Sequence, residues 1–133
     1  MASAVYPLWI QAMWQGDVAG GLDAVNVKAA AVAVGYTYSA SDQFLSDIDG
    51  GDIVATSGNL TGKTFNTSGD FDADDAPVAA VTGDEIVALV VYHDSGAAAT
   101  SRLICYLELG STYTPTGADV VFVFHADGLV EAA

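Results

Sequence analysis

Two segments in the second half of the chain are apolar at almost every position. Residues 85–93 read EIVALVVYH, and residues 120–125 read VVFVFH. Such β-branched and aromatic runs favour strands, and a run without polar alternation indicates a strand that is covered on both faces. We therefore expect both segments to lie at the centre of a β structure or in an interface with another molecule.

Further short runs predict a set of neighbouring strands. Residues 25–34 and 102–109 alternate with the period of two that strands show, and segments 85–93 and 102–109 are expected to pair antiparallel. Other strands are predicted at residues 53–56, 60–66 and 77–81, between turns rich in Gly, Asn and Asp. The pattern predicts a mainly β, single domain over residues 1–133: an antiparallel β-sandwich or partly open barrel of roughly seven to eight short strands.

The N-terminal residues 1–16 are predicted to form one helix or arm. Their apolar residues recur at the spacing of a helical stripe, and Gly16 can end the helix. This stripe has two interpretations. It is a lid that covers the edge of the sheet, or it is an anchor that docks on a neighbouring subunit, because a short terminal helix is marginal alone. The stripe consists of Tyr6, Trp9, Ile10, Met13 and Trp14.

Charge and cysteine content exclude several classes of protein. Seventeen acidic residues face three basic ones, for a formal net charge of −14, so the chain lacks the positive face that nucleic acids and anionic membranes require. No apolar run approaches the ~20 residues of a membrane-spanning helix. Cys105 is the single cysteine and cannot form a disulfide within the chain. Since it lies on the leucine face of its strand, we interpret it as a small buried hydrophobe.

Two motifs resemble ligand sites, but each departs from the full pattern of its site. Residues 57–64 match a phosphate-binding loop except that Ser57 replaces the first glycine, and the following residues do not predict a helix. Asp70, Asp72 and Asp74 have the spacing that opens an EF-hand loop, but Asp75 stands where that loop has glycine. We expect no enzymatic activity, no cofactor and no defined metal site. Residues 70–75 are predicted to form an exposed loop or edge; a weak cation site there or at Asp47, Asp49 and Asp52 stays open. His93 and His125 are predicted to be half-buried structural residues.

Several segments together resemble a family of small structural proteins of tailed-bacteriophage virions. They are residues 44–48 (FLSDI), 54–57 (VATS), 60–64 (LTGKT), 88–96 (ALVVYHDSG), 99–106 (ATSRLICY) and the turn 115–119 (PTGAD). The resemblance implies no catalytic residues. It implies a capsid decoration or cement protein on the outside of the virion, which binds the major capsid protein and its own copies, as a trimer rather than a dimer.

The candidate contact residues come from the helix and the two apolar segments. They are Tyr6, Trp9, Ile10, Met13, Trp14, Val90, Tyr92, Phe122 and Phe124. One alternative is a tail or fibre component that binds another virion protein, or host glycans through Tyr36, Tyr38 and Tyr113. Another is an enzyme or small-ligand protein outside the virion, for which the near phosphate-binding loop and the Asp-rich segment are the only support.

Overall fold

A computed structural model describes residues 3–65, 67 and 70–124. The protein is mainly β, as predicted, and its strands pair antiparallel. The described residues form nine strands: β1 (Ala4–Val5), β2 (Val27–Ala33), β3 (Ile53–Thr56), β4 (Thr64–Phe65), β5 (Phe71–Asp72), β6 (Ala76–Val78), β7 (Ile86–His93), β8 (Leu103–Tyr113) and β9 (Val120–Phe122). They also form two α-helices, α1 (Pro7–Gln15) and α2 (Gly21–Ala24), and 3-10 turns at Leu45–Asp47 and Gly50–Asp52.

The largest sheet has five strands in the order β1-β8-β7-β2-β3. Strand β7 lies at its centre, where Val90 faces Ala30 of β2 on one side and Tyr106 of β8 on the other. The predicted antiparallel pairing of segments 85–93 and 102–109 is confirmed. The unbroken apolar run of β7 therefore reflects a central position in the sheet.

Other parts of the same chain cover both faces of β7. Because successive side chains of a strand point to opposite faces, Leu89 and Val90 mark the two sides. On the Val90 side, the ring of its neighbour Tyr106 lies 6.2 Å from Tyr36 and 5.8 Å from Tyr38, centroid to centroid. On the other side, Leu89 lines the same groove as Phe122 of β9. Six of the eight β7 residues are buried, so this strand needs no second molecule.

Two small sheets complete the fold. Strand β4 pairs with β5, and β6 pairs with β9, where Pro77 faces Val121. The Asp-rich segment 70–75 contains β5, an edge strand as expected from its charges, and leads into β6; Asp74 and Asp75 are exposed. Its residues Phe71 and Ala73 are buried. The carboxylate of Asp75 accepts the N–H of Phe124 at 3.0 Å, which ties this segment to the C-terminal strand.

Some predicted boundaries were wrong. Of the strand expected at residues 60–66, only Thr64–Phe65 is strand in the described part, and Asn66 lies outside it. Residues 57 and 60 instead continue to bond to β2: Ser57 N–H donates to the Ala29 carbonyl and Leu60 N–H to the Val27 carbonyl. The strand expected from residue 25 begins at Val27, behind the short helix α2, which was not predicted. In contrast, Ile53–Thr56 has the predicted bounds. His125 lies outside the described residues.

Candidate interaction surfaces

Helix α1 is fixed to the sheet by the residues that precede it. Strand β1 pairs with β8, and the N–H of Tyr6 donates to the carbonyl of Ile104 at 3.0 Å. The Tyr6 hydroxyl lies 2.7 Å from that of Tyr36, which donates to Asp42 at 2.8 Å, so Tyr6 is the donor in the first bond. The entry to α1 is therefore held by backbone and side-chain bonds to two other parts of the chain.

The tyrosines in this arrangement are neutral groups of the core. Tyr6 is fully buried and Tyr36 is 7% exposed. Burial raises the pKa of both phenols well above the ordinary value, because a phenolate would lose its hydration. Tyr38 donates its hydroxyl to the Val5 carbonyl at 3.2 Å. The hydroxyls of Tyr6 and Tyr36 hold the N-terminal residues in place and stay protonated near neutral pH.

The predicted stripe on α1 divides into a buried face and an exposed face. Trp9 and Ala12 are buried. A helix turns about 100° per residue, which places Ala12 about 60° from Trp9 but Ile10 and Trp14 about 100° and 140° from it. Trp14 is accordingly 86% exposed and Ile10 38%. Met13 lies only about 40° from Trp9 on the helix, but it is 36% exposed. We call these three residues, Ile10, Met13 and Trp14, the α1 patch.

The α1 patch is uncharged and lies on a helix with a capped C-terminus. The sequence of α1, PLWIQAMWQ, carries no acidic or basic residue. The helix ends as predicted at Gly16, whose left-handed backbone (φ 74°) lets its N–H and that of Asp17 bond to the last turn. The lid interpretation agrees with Trp9, which is buried. The anchor interpretation can apply only to the exposed side chains of the α1 patch.

A second apolar surface lies at the opposite end of strand β8 from its pairing with β1. It is a groove of about 240 Å³. Val121 and Val123 on its rim are 54% and 71% exposed. Neither charged side chains nor amides line it; its walls are Ile86, Leu89, Leu109, Tyr113, Val120, Val121, Phe122 and Val123. We call it the β9 groove.

The nine predicted contact residues are placed in two environments. Six are buried in the protein's own core, although Phe122 also lines the β9 groove: Tyr6, Trp9, Val90, Tyr92, Phe122 and Phe124. They are buried because the chain itself covers both faces of β7 and one face of β9. The three that remain accessible form the α1 patch. A contact between these three and a partner stays a prediction.

The sequence analysis did not single out Val121 and Val123. Both are apolar, but they face away from the buried Phe122 and Phe124, in the two-residue alternation of a half-covered strand. Because residues 120–125 are apolar at every position but the last, alternation is absent from the sequence, and the exposed face could only be found from the structure.

All three basic residues are engaged in local contacts. Lys28 Nζ lies 3.0 Å from a carboxylate oxygen of Asp94, and its hydrogen bond lowers the pKa of that carboxyl. Lys63 Nζ donates to the backbone carbonyls of Leu22, within helix α2, at 2.8 Å and of Val25, directly after it, at 2.6 Å. The guanidinium of Arg102 lies 5.3 Å from the Phe44 ring centroid. All three positive charges therefore take part in contacts within the protein.

The candidate phosphate-binding segment has structural contacts in place of an open loop. Ser57 is buried, and its Oγ accepts the N–H of Ala29 at 2.9 Å while donating to the Gly58 carbonyl. Strand β4, not a helix, follows Lys63. Within the described residues, no three His, Cys, Asp or Glu side chains come together as a metal site would require.

The remaining reactive side chains are held in the sheet. Cys105 is buried, and burial raises the pKa of its thiol to about 12, which keeps it protonated. His93 is half-buried, its Nδ1 has no hydrogen-bond partner among the described residues, and burial lowers its pKa. Of the three tyrosines considered for glycan stacking, Tyr36 is buried and Tyr38 is half-buried against Val5, while Tyr113 lines the β9 groove.

Comparison with known proteins identifies no relative. No protein-family model matches the chain, and no curated protein matches it. In the part of the chain that the structure describes, no helix is long and apolar enough to cross a membrane. The functional argument therefore rests on the two apolar surfaces, the charge and the resemblance of the sequence segments.

Proposed function

We propose that this protein is a bacteriophage capsid decoration, or cement, protein that binds the outer surface of the major capsid protein lattice and stabilises the head. The observation that carries the proposal is the α1 patch, in which Trp14 is 86% exposed on a helix tied to the sheet at its N-terminal end. Tryptophan is enriched among residues that dominate binding energy. Because the helix is already formed, its backbone loses little conformational entropy on binding.

The charge of the chain supports assembly on a surface. A net charge of −14 keeps free copies apart and dispersed, while the uncharged α1 patch is available for contact. The partners are the major capsid protein and further copies of the same chain, as trimers in preference to dimers. Many copies, each with a modest contact, add up to a large resistance against the pressure of packaged DNA.

Quantitative mass spectrometry of purified phage particles that encode this chain tests the proposal. A decoration protein is expected in numbers comparable to the major capsid protein, on the order of hundreds per particle, because it follows the lattice. A handful of copies per particle, retained with tails after heads are removed, would instead indicate the tail or fibre alternative. Absence from purified particles would reject a virion role.

Matched variants connect the role to the α1 patch. Phages that carry Trp14→Ala should lose the protein from their particles, because the anchor is removed without touching the core. Val34→Gln replaces another exposed side chain, 78% exposed at the end of β2, and should leave incorporation unchanged. Equal incorporation of both variants would show that α1 does not hold the protein on the particle.

A further inference from the structure

Helix α1 belongs to a short arm near the start of the chain. Strand β1 has two residues and α1 has nine. A helix of this length is marginal alone, and its N-cap residue Tyr6 gives it no side-chain cap. The N-terminal arm, by which we mean β1 and α1 (residues 4–15), therefore depends on its attachment to the rest of the described residues, which we call the body.

Tyr6 joins the arm to the body through each of its polar groups. Its carbonyl accepts the N–H of Trp9 in the first turn of α1 at 3.0 Å, and its own N–H donates to Ile104 of β8 at 3.0 Å. Its hydroxyl donates to that of Tyr36 at 2.7 Å. Because Tyr6 is fully buried, its hydroxyl cannot turn to water while the arm is closed.

The last acceptor of this hydroxyl chain, Asp42, is fixed to the body independently of the arm. Its own N–H donates to the carbonyl of Ser39 at 3.1 Å, which closes a turn. The carbonyl of the next residue, Gln43, accepts the N–H of Leu103 in β8 at 3.0 Å. Asp42 therefore stays in place whether the arm is closed or open.

We infer that Asp42 is a positioning residue for the α1 patch. It accepts the proton of Tyr36, which leaves the Tyr36 oxygen to accept the proton of Tyr6, and so it holds the N-terminal arm on the sheet. The inference deepens the proposed function by naming what presents Trp14, and it rests on that function only for its biological meaning.

The far end of the arm allows it to open as one unit. Gly16 (φ 74°) and Gly20 (φ 76°) adopt the left-handed conformation that glycine reaches without strain. Between them, Val18 is 7% exposed and packs in the core of the body. The boundary between arm and body therefore lies directly after α1, and opening of the arm leaves the body folded.

The acceptor on Asp42 stabilises the closed arm only. Without it, one hydroxyl proton of the Tyr6–Tyr36 pair has no acceptor, and a buried donor without a partner raises the free energy of the closed arm. When the arm leaves the sheet, both hydroxyls reach water. Loss of the acceptor therefore shifts the equilibrium toward the open arm.

Hydrogen exchange of the full chain, followed by NMR, tests the inference on the backbone amides of α1 and β7. Asp42→Leu replaces the carboxylate with an apolar group of similar size, and Asp42→Asn retains a carbonyl acceptor; both remove the same charge. Ile86→Val is the control in the body, since buried Ile86 faces Tyr113, at the end of β8 that lies away from β1. Circular dichroism verifies that each variant is folded.

The arm and the body should respond separately. The α1 amides of Asp42→Leu should exchange at least about tenfold faster than those of the natural chain, as an unpaired buried hydroxyl implies. Asp42→Asn should stay closer to the natural chain, because its carbonyl still accepts the Tyr36 proton. Ile86→Val should accelerate the slowest amides of β7, which open with the whole body, and leave those of α1 unchanged.

Other results contradict the inference. Unchanged α1 exchange in Asp42→Leu would remove Asp42 from the attachment, and equal acceleration by both substitutions at this position would assign the effect to the charge. Acceleration of α1 and β7 alike in Ile86→Val would show that the arm opens only with the whole molecule. Because exchange is measured on the free chain, copy number on particles tests the proposed function separately.

Discussion

At the residue scale, the most specific feature is the chain of hydroxyl groups that begins at Tyr6. Tyr6 donates a hydrogen bond to Tyr36, and Tyr36 donates one to Asp42, so the Tyr36 hydroxyl accepts one bond and donates the other. Tyr6 is fully buried and has no access to water as a substitute partner. The contribution of each hydroxyl to the free energy of unfolding therefore depends on which partner its removal leaves unsatisfied.

Removal of the two hydroxyls should have unequal effects. Tyr6→Phe leaves the bond from Tyr36 to Asp42 intact and should cost ~0.5–1.5 kcal/mol. Tyr36→Phe strands the buried Tyr6 hydroxyl and should cost ~1–3 kcal/mol. The double variant should lose less than the sum of the two, as urea unfolding of all four proteins would measure. Equal and additive losses would show that the hydroxyls act independently.

His93 should make stability depend on pH. Burial lowers its pKa from the usual 6.5, so the folded state holds the proton less tightly than the unfolded state. The contribution of His93 to the free energy of unfolding is fully present above pH 6.5. It is lost as the pH falls from there through the lowered pKa of the folded state. Unfolding in urea at pH 7.5, 6.0 and 5.0, compared with His93→Gln, measures this loss.

The comparison isolates one histidine, because His125 is present in both proteins. The variant should show a shallower decline of unfolding free energy between pH 7.5 and 5.0. Parallel curves for the two proteins would assign the decline to other groups.

At the element scale, helix α1 has two tryptophans in opposite environments. Trp9 is 6% exposed and Trp14 is 86% exposed, although one helix carries both. Trp9→Ala should reduce the free energy of unfolding by ~3–5 kcal/mol through loss of buried surface and an empty cavity. Trp14→Ala should change it by no more than ~0.5 kcal/mol, since surface substitutions have small effects.

The two variants serve as controls for each other. Denaturant unfolding gives the stabilities, and fluorescence separates the environments: Trp14→Ala should retain the emission of a tryptophan shielded from water, and Trp9→Ala that of an exposed one. Similar stability losses for both substitutions would contradict the orientation of α1.

Sequence patterns predicted the long elements better than their surroundings. The β7–β8 pair, strand β3 and the end of α1 at Gly16 follow from local periodicity and backbone preference, which the sequence carries directly. Strand β1 has two residues and depends on β8 for its existence, so no local signal could predict it. The Asp-rich segment did carry a signal, because Phe71 and Ala73 alternate with aspartates, but its charges suggested an exposed loop or edge.

The candidate surfaces were harder to predict for a related reason. Periodicity shows which residues are apolar and share a helix, but the side of the helix that is covered depends on distant residues such as Ile104 and Tyr36. Trp9 and Trp14 are therefore equivalent in the sequence and different in the structure. The β9 groove combines strands β7, β8 and β9, and only the fold brings them together.

At the scale of the whole molecule, the dominant property is self-repulsion. With 17 acidic and three basic residues, folding concentrates negative charge. The urea midpoint should therefore rise between about 0.05 and 0.5 M NaCl as the Debye length shortens. Ca²⁺ and Mg²⁺ at equal ionic strength should raise it equally, because both screen charge. A rise specific to Ca²⁺ would instead indicate a defined site, with residues 70–75 as the first candidates for substitution.

A reconstruction of the phage particle by electron cryomicroscopy tests the central claim most directly. We expect this chain on the outer surface of the head, repeated with the symmetry of the shell, with Trp14 enclosed in a contact with the capsid protein or another copy. A chain found at the tail, or one on the head with Trp14 open to solvent in every copy, would contradict the account.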